Sequence, residues 1–129
     1  MPRVVNIYAV LWVVCLIVSS GASMAASNQP LESSDNGTLA ELMRRPNPDH
    51  LVIVAVPSLS ALLLNAEKLN GKPLTQSQVE AVRDSAAAIA VPTSAAEAVE
   101  ERRGYKDVDF SHVWEEWQVL RRQFDQSKP

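Results

Sequence analysis

Apolar residues along this 129-residue chain gather into runs of different character, and each kind of run predicts a different element. The first, residues 4–18, is apolar except for Asn6. Residues 27–37 (SNQPLESSDNG) are the opposite, with Pro, Ser, Asp and Gly recurring and only Leu31 to bury, which predicts a flexible leader. At Thr38 the pattern changes. Glu41 follows it by three positions, and Leu39, Leu42 and Met43 lie to one side. Residues 38–45 therefore read as two helical turns opened by a capping box, with Pro46 and Pro48 as the stop. Residues 51–56 (LVIVAV) form a short continuous apolar run rich in β-branched side chains, with Asp49-His50 before it and Pro57 after it. That is the pattern of a buried strand. Apolar character continues to Leu64, but Pro57 divides the stretch and it is too short for a membrane span.

From Ser58 onward Leu59, Leu62, Leu63, Ala66 and Leu69 recur at helical spacing, and Gly71 and Pro73 end the helix. Thr75 with Gln78 repeats the capping-box pattern and opens a helix with Val79, Val82, Ala86 and Ile89 on one face. Its tail, residues 86–91 (AAAIAV), fits either the helix end or a second short strand, and Pro92 closes both. Thr93 is placed to cap a further helix through Ala95, Ala98 and Val99 to Arg103, with Gly104 behind it. Asp109 is placed to cap the last helix.

That last helix carries the clearest amphipathic pattern in the chain. Phe110, Val113, Trp114, Trp117, Leu120 and Phe124 fall on one stripe, while Glu115, Glu116, Gln118, Arg122 and Gln123 lie away from it. Every aromatic residue after residue 25 lies within residues 105–124. At about 150 to 250 Å² buried per large aromatic side chain, this helix is expected to supply the most contact area.

The motif Val54-Ala55-Val56-Pro57-Ser58 resembles Ile89-Ala90-Val91-Pro92-Thr93 at an offset of 35 residues, which also maps Val79, Glu80 and Val82 onto Trp114, Glu115 and Trp117. Both halves then read strand, helix, helix, as two pseudo-equivalent units with paired strands at the centre. The expected fold class is mostly α with one or two short strands, an α+β domain of about four helices. Three regions result: a signal peptide over residues 1–25, a flexible leader with its short helix over residues 26–50, and the small helical domain over residues 51–125.

The opening run matters for address. Arg3, the apolar core and the small residues Ser23 and Ala25 make an export signature, with cleavage expected after Ala25. The protein is then periplasmic or extracellular. An alternative keeps the segment as an uncleaved inner-membrane anchor, since no charge occurs between Arg3 and Glu32 and about 20 apolar residues suffice to cross a bilayer. A lipoprotein is disfavoured because Cys15 sits behind Trp12, Val13 and Val14, with no small residue just before it. Asn36-Gly37-Thr38 also matches the N-glycosylation triplet, or is a plain Asn-Gly turn.

Removal of residues 1–25 takes away Arg3 and Cys15, the only cysteine, and leaves 11 basic against 15 acidic side chains, a formal charge of −4. No internal disulfide can then form, so packing alone holds the domain. The acidic balance argues against nucleic acid, which needs clustered cations. The pairs Arg44-Arg45, Arg102-Arg103 and Arg121-Arg122 read as solvated helix ends or faces.

Chemistry is sparse. His112-Val113-Trp114-Glu115-Glu116 approaches the H-x-x-E-H motif of inverted zinc peptidases, but Glu116 stands where the second histidine belongs and His50 is the only other imidazole. The plainer reading puts His112 in the first turn of a helix capped by Asp109. There is no G-x-S-x-G elbow, and the four glycines are too scattered for a phosphate loop. The sequence therefore predicts neither an enzyme nor a cofactor or metal, with a hydrolase or metal-binding protein using His112 as the third alternative behind the exported and the membrane-tethered binding protein. A core of roughly 75 residues without crosslinks contributes only a few kcal/mol, so a partner protein or self-association is expected to add to it. Residues 104–117 (GYKDVDFSHVWEEW) mix aromatics with charges as interfaces do, making Tyr105, Asp107, Trp114 and Trp117 the candidate partner surface. The alternative is that Trp114 and Trp117 simply fill the core. The functional expectation is an exported, non-catalytic binding or accessory protein that touches a membrane only through an uncleaved N-terminal segment.

Overall fold

A computed structural model describes residues 28–127. Thr38 is the N-cap its spacing predicts: its hydroxyl accepts from the Glu41 N–H, and the Glu41 carboxylate accepts from the Thr38 N–H at 2.9 Å. Thr75 and Gln78 form the same reciprocal pair. Ser58 caps the helix between them, which ends at Gly71 with φ 72°, a left-handed conformation that costs glycine little. In chain order the elements are β1 (Asn36–Thr38), α1 (Leu39–Arg44), β2 (Val52–Ala55), α2 (Leu59–Asn70), α3 (Gln76–Ser85), β3 (Ala87–Val91), α4 (Thr93–Arg103), a 3-10 turn (Phe110–His112) and α5 (Val113–Gln126). The fold is a small α+β domain.

The three strands form one antiparallel sheet in the order β1-β3-β2. Val54 lies opposite Ile89 and Ala55 opposite Ala88, so the tail of α3 that the sequence left ambiguous is the central strand. Ala88 and Ala90, its buried positions, are small, which lets α1 lie close against the sheet. The core joins Leu39 and Leu42 of α1, Leu59 and Leu63 of α2, Val79 of α3, and Val113 and Trp117 of α5.

The flexible leader is corrected where the structure describes it. Leu31 is 1% exposed and belongs to the core, and its N–H bonds Pro46 O at 2.8 Å. Residues 36–38 pair with β3. Arg45 then ties the segment down by donating to Gln29 O, Pro30 O and the Asp35 carboxylate. A single apolar side chain in a polar stretch gave no periodicity to read, yet backbone pairing to a neighbouring strand needs none. Two smaller expectations also change. The N-cap of α4 is Pro92, which makes no side-chain capping bond, and Thr93 is the first helical residue. Asp109 caps the 3-10 turn, and α5 begins behind it. The order strand-helix-helix does recur, as β2-α2-α3 and β3-α4-α5. The packing is not equivalent, however: α4 rests on β2, whereas α2 lies against α3 and α5. The export segment, its cleavage site and Cys15 lie outside the described residues.

Candidate interaction surface

The first turn of α2 has no acidic residue of its own, and while Ser58 caps Ala61 N locally, two other N–H groups of that turn are satisfied from far along the chain. Asp107, in the loop between α4 and α5, accepts from Leu59 N at 2.7 Å, Ser60 N at 2.9 Å and Ser60 Oγ at 2.7 Å, as well as from its own neighbour Val108 N. A carboxylate at a helix N-terminus also opposes the positive end of the helix dipole. Beside it the Tyr105 hydroxyl shares a hydrogen bond with Ser58 Oγ at 2.7 Å. Arg103 donates to Ala55 O at 2.7 Å and lies 3.8 Å from Asp107. The loop is thus fastened to both β2 and α2. Gly104, at φ 76°, makes the left-handed exit from α4 that allows this return.

Fastening the loop sets α5 alongside α2 in the same direction. Farther along, Arg121 pairs with Glu67 at 2.8 Å. Between the two helices runs a groove of about 710 Å³. Ala61 and Leu64 line its α2 wall, and Val119, Leu120 and Phe124 line its α5 wall, with Tyr105 at one end. Val119 and Phe124 are 49% and 48% exposed, and Tyr105 is similarly open. Past Leu64 and Phe124 the seam continues between Lys68, Lys72 and Arg121.

The four residues expected to form a partner surface separate in this arrangement. Trp117 is fully buried in the core, and its indole N–H donates to no described protein atom. Trp114 is half-buried and packs against the same core. Asp107 is an internal fastening. Only Tyr105 is exposed and lines the groove. Val119, Phe124 and Leu64 take the place of the tryptophans, and the sequence reading missed them. It put Phe124 on the core stripe and gave Val119 no role, although an apolar side chain off the stripe of an otherwise polar face was the available signal.

His112 and Glu116 do not converge on a common point. His112 Nδ1 lies 3.3 Å from Asp109 Oδ2, while Glu116 accepts from the Asp109 backbone N–H at 2.6 Å. The Asp109 carboxyl is held below its usual range, first by the Ser111 N–H it accepts and then by His112. Among the described residues no group of three or more His, Cys, Asp or Glu could hold a metal. Asn36 is exposed in β1, but the Thr38 hydroxyl that completes its triplet is occupied as a helix cap. No helix among the described residues is long and apolar enough to cross a membrane. Compared with known proteins, the chain matches no family, no curated protein and no solved structure.

Proposed function

We propose that this is a non-catalytic binding protein that acts outside the cytoplasm through protein–protein contact, with the groove between α2 and α5 as its contact surface. One observation carries the reading: of the six large apolar side chains exposed among the described residues, Tyr105, Val119 and Phe124 all line this one groove. Exposed apolar groups scattered singly are ordinary, whereas their concentration in one concavity marks a binding surface. The export reading rests on residues 1–25, and an uncleaved form would hold the same surface close to a membrane. Two measurements test the proposal. Mass spectrometry of the accumulated protein should find an N-terminus at Ala26 for the exported form; a soluble cytosolic protein with Met1 intact overturns the address. Chemical crosslinking in that compartment should yield protein adducts that disappear when Val119 and Phe124 are both replaced by Glu. Adducts that survive the double substitution overturn the assignment of the groove.

A further inference from the structure

Resting on that reading of the groove, we propose that its occupant is an amphipathic helix of a partner protein, running antiparallel to α2 and α5 with an acidic first turn beside Lys68 and Lys72. Backbone chemistry separates a helix from an extended segment. Both walls are helices whose main-chain groups bond along the helix, and the first-turn N–H groups of Leu59 and Ser60 are taken by Asp107. A strand laid in the groove would find no row of donors and acceptors for its own main chain, whereas a helix satisfies these internally. The walls also have the spacing that a third helix packs against: Ala61, Leu64 and Lys68 recur on α2 at steps of three and four, and Glu116, Leu120 and Phe124 on α5 at steps of four. At about 100° per residue, Leu120 stands between Phe124 on the core side of the wall and Val119 on its solvent side. The partner's apolar stripe therefore meets Leu64, Leu120 and Phe124, while Val119 borders its edge.

Leu64 and Phe124 line both the groove and its continuation. From Glu116 to Ser127 the seam spans about 16 Å at about 1.5 Å per residue, the length of three helical turns. Charges set the direction. At the far end stand Lys68 and Lys72, with Asp125 opposing them and Arg121 already paired with Glu67. Neither lysine's ammonium has a partner among the described residues. At the near end Asp107 and Glu116 outnumber Lys106. Carboxylates are favoured in the first turn of a helix and cations in its last, so a partner that begins beside Lys68 and Lys72 sets each end against its opposite. Its dipole then opposes those of α2 and α5, which both end there. Such charges fix orientation more than strength, and the apolar stripe supplies the contact.

The test is a display library of random peptides of about 14 residues, selected on the protein in the form the cell accumulates. Enriched sequences should carry apolar residues at i, i+3 or i+4, and i+7, with Asp or Glu in the first turn. A synthetic peptide of the enriched sequence should gain helical circular dichroism on binding. It should bind Phe124→Glu about tenfold or more weakly and the double variant Lys68→Glu, Lys72→Glu about three- to tenfold more weakly. Exchanging its first-turn acids for lysines should restore affinity for the double variant. All three positions are exposed, and the far-UV spectra of the free variants should match that of the unsubstituted protein. Enrichment of an alternating, extended pattern overturns the proposal, as do indifference to the charge reversal, undiminished binding to Phe124→Glu, and no enrichment at all. In any of these cases, crosslinked adducts that still disappear when Val119 and Phe124 are replaced keep the groove as a contact surface with a different occupant. Adducts that survive remove both readings.

Discussion

Replacing Asp107 by alanine leaves two backbone N–H groups and one hydroxyl of α2 without their acceptor. Capping losses alone run to about 2 kcal/mol, and the shared carboxylate adds to this. The expected cost is roughly 2 to 3 kcal/mol in urea unfolding, with Asp107→Asn intermediate because an amide oxygen can still accept. Trp117→Ala is expected to cost about 3 to 5 kcal/mol, as full burial of the ring implies. Trp117→Phe should cost clearly less, because the indole N–H has no described partner to lose and the volume change is smaller. The sequence named both positions for a surface role and offered the core as the alternative for Trp117, which is where the ring lies. Composition showed aromatics and charges side by side; it could not show that Asp107 turns inward, since its partners, Leu59 and Ser60, are 48 and 47 residues away.

At the scale of elements, legibility followed locality. Thr38 with Glu41, and Thr75 with Gln78, are three residues apart, and their reciprocal bonds could be read from spacing alone. The leucines of α2 and the stripe of α5 were readable for the same reason. Strand β1 was not, because Asn36 and Gly37 are strand-poor residues, Thr38 reads first as a helix cap, and the segment is a strand through its pairing with β3. Leu31 belongs with it. Leu31→Ala should therefore destabilise the domain as a core truncation does, by about 2 to 5 kcal/mol, where a mobile leader would give under about 0.5 kcal/mol. Thermal unfolding monitored by circular dichroism decides between the two. The groove was half legible: both of its walls were predicted as helices, but the register that leaves Val119 and Phe124 open depends on how the loop at Asp107 fixes α5 against α2.

For the whole molecule, three carboxyl groups tie stability to acid. Asp35 accepts the Glu32 N–H and pairs with Arg45, Glu41 accepts the Thr38 N–H, and Asp109 accepts the Ser111 N–H; in each, the backbone donor is the leading cause of a lowered pKa. A carboxyl whose pKa is lower in the folded state stabilises fully above its unfolded value, and that contribution is lost as pH falls through the folded one. Urea midpoints should be flat from neutrality to about pH 5 and decline below about pH 4.5. Glu41→Gln should make the decline shallower. A midpoint that rises on acidification would contradict the ion-pair and capping geometry. The fastening at Asp107 carries one more consequence, for the amide protons it shelters. Leu59 and Ser60 belong to α2, yet the acceptor that protects them is carried by the loop leading into α5. Their deuterium uptake should keep pace with the release of the C-terminal third of the chain, and lag behind it only if α2 holds its first turn unaided.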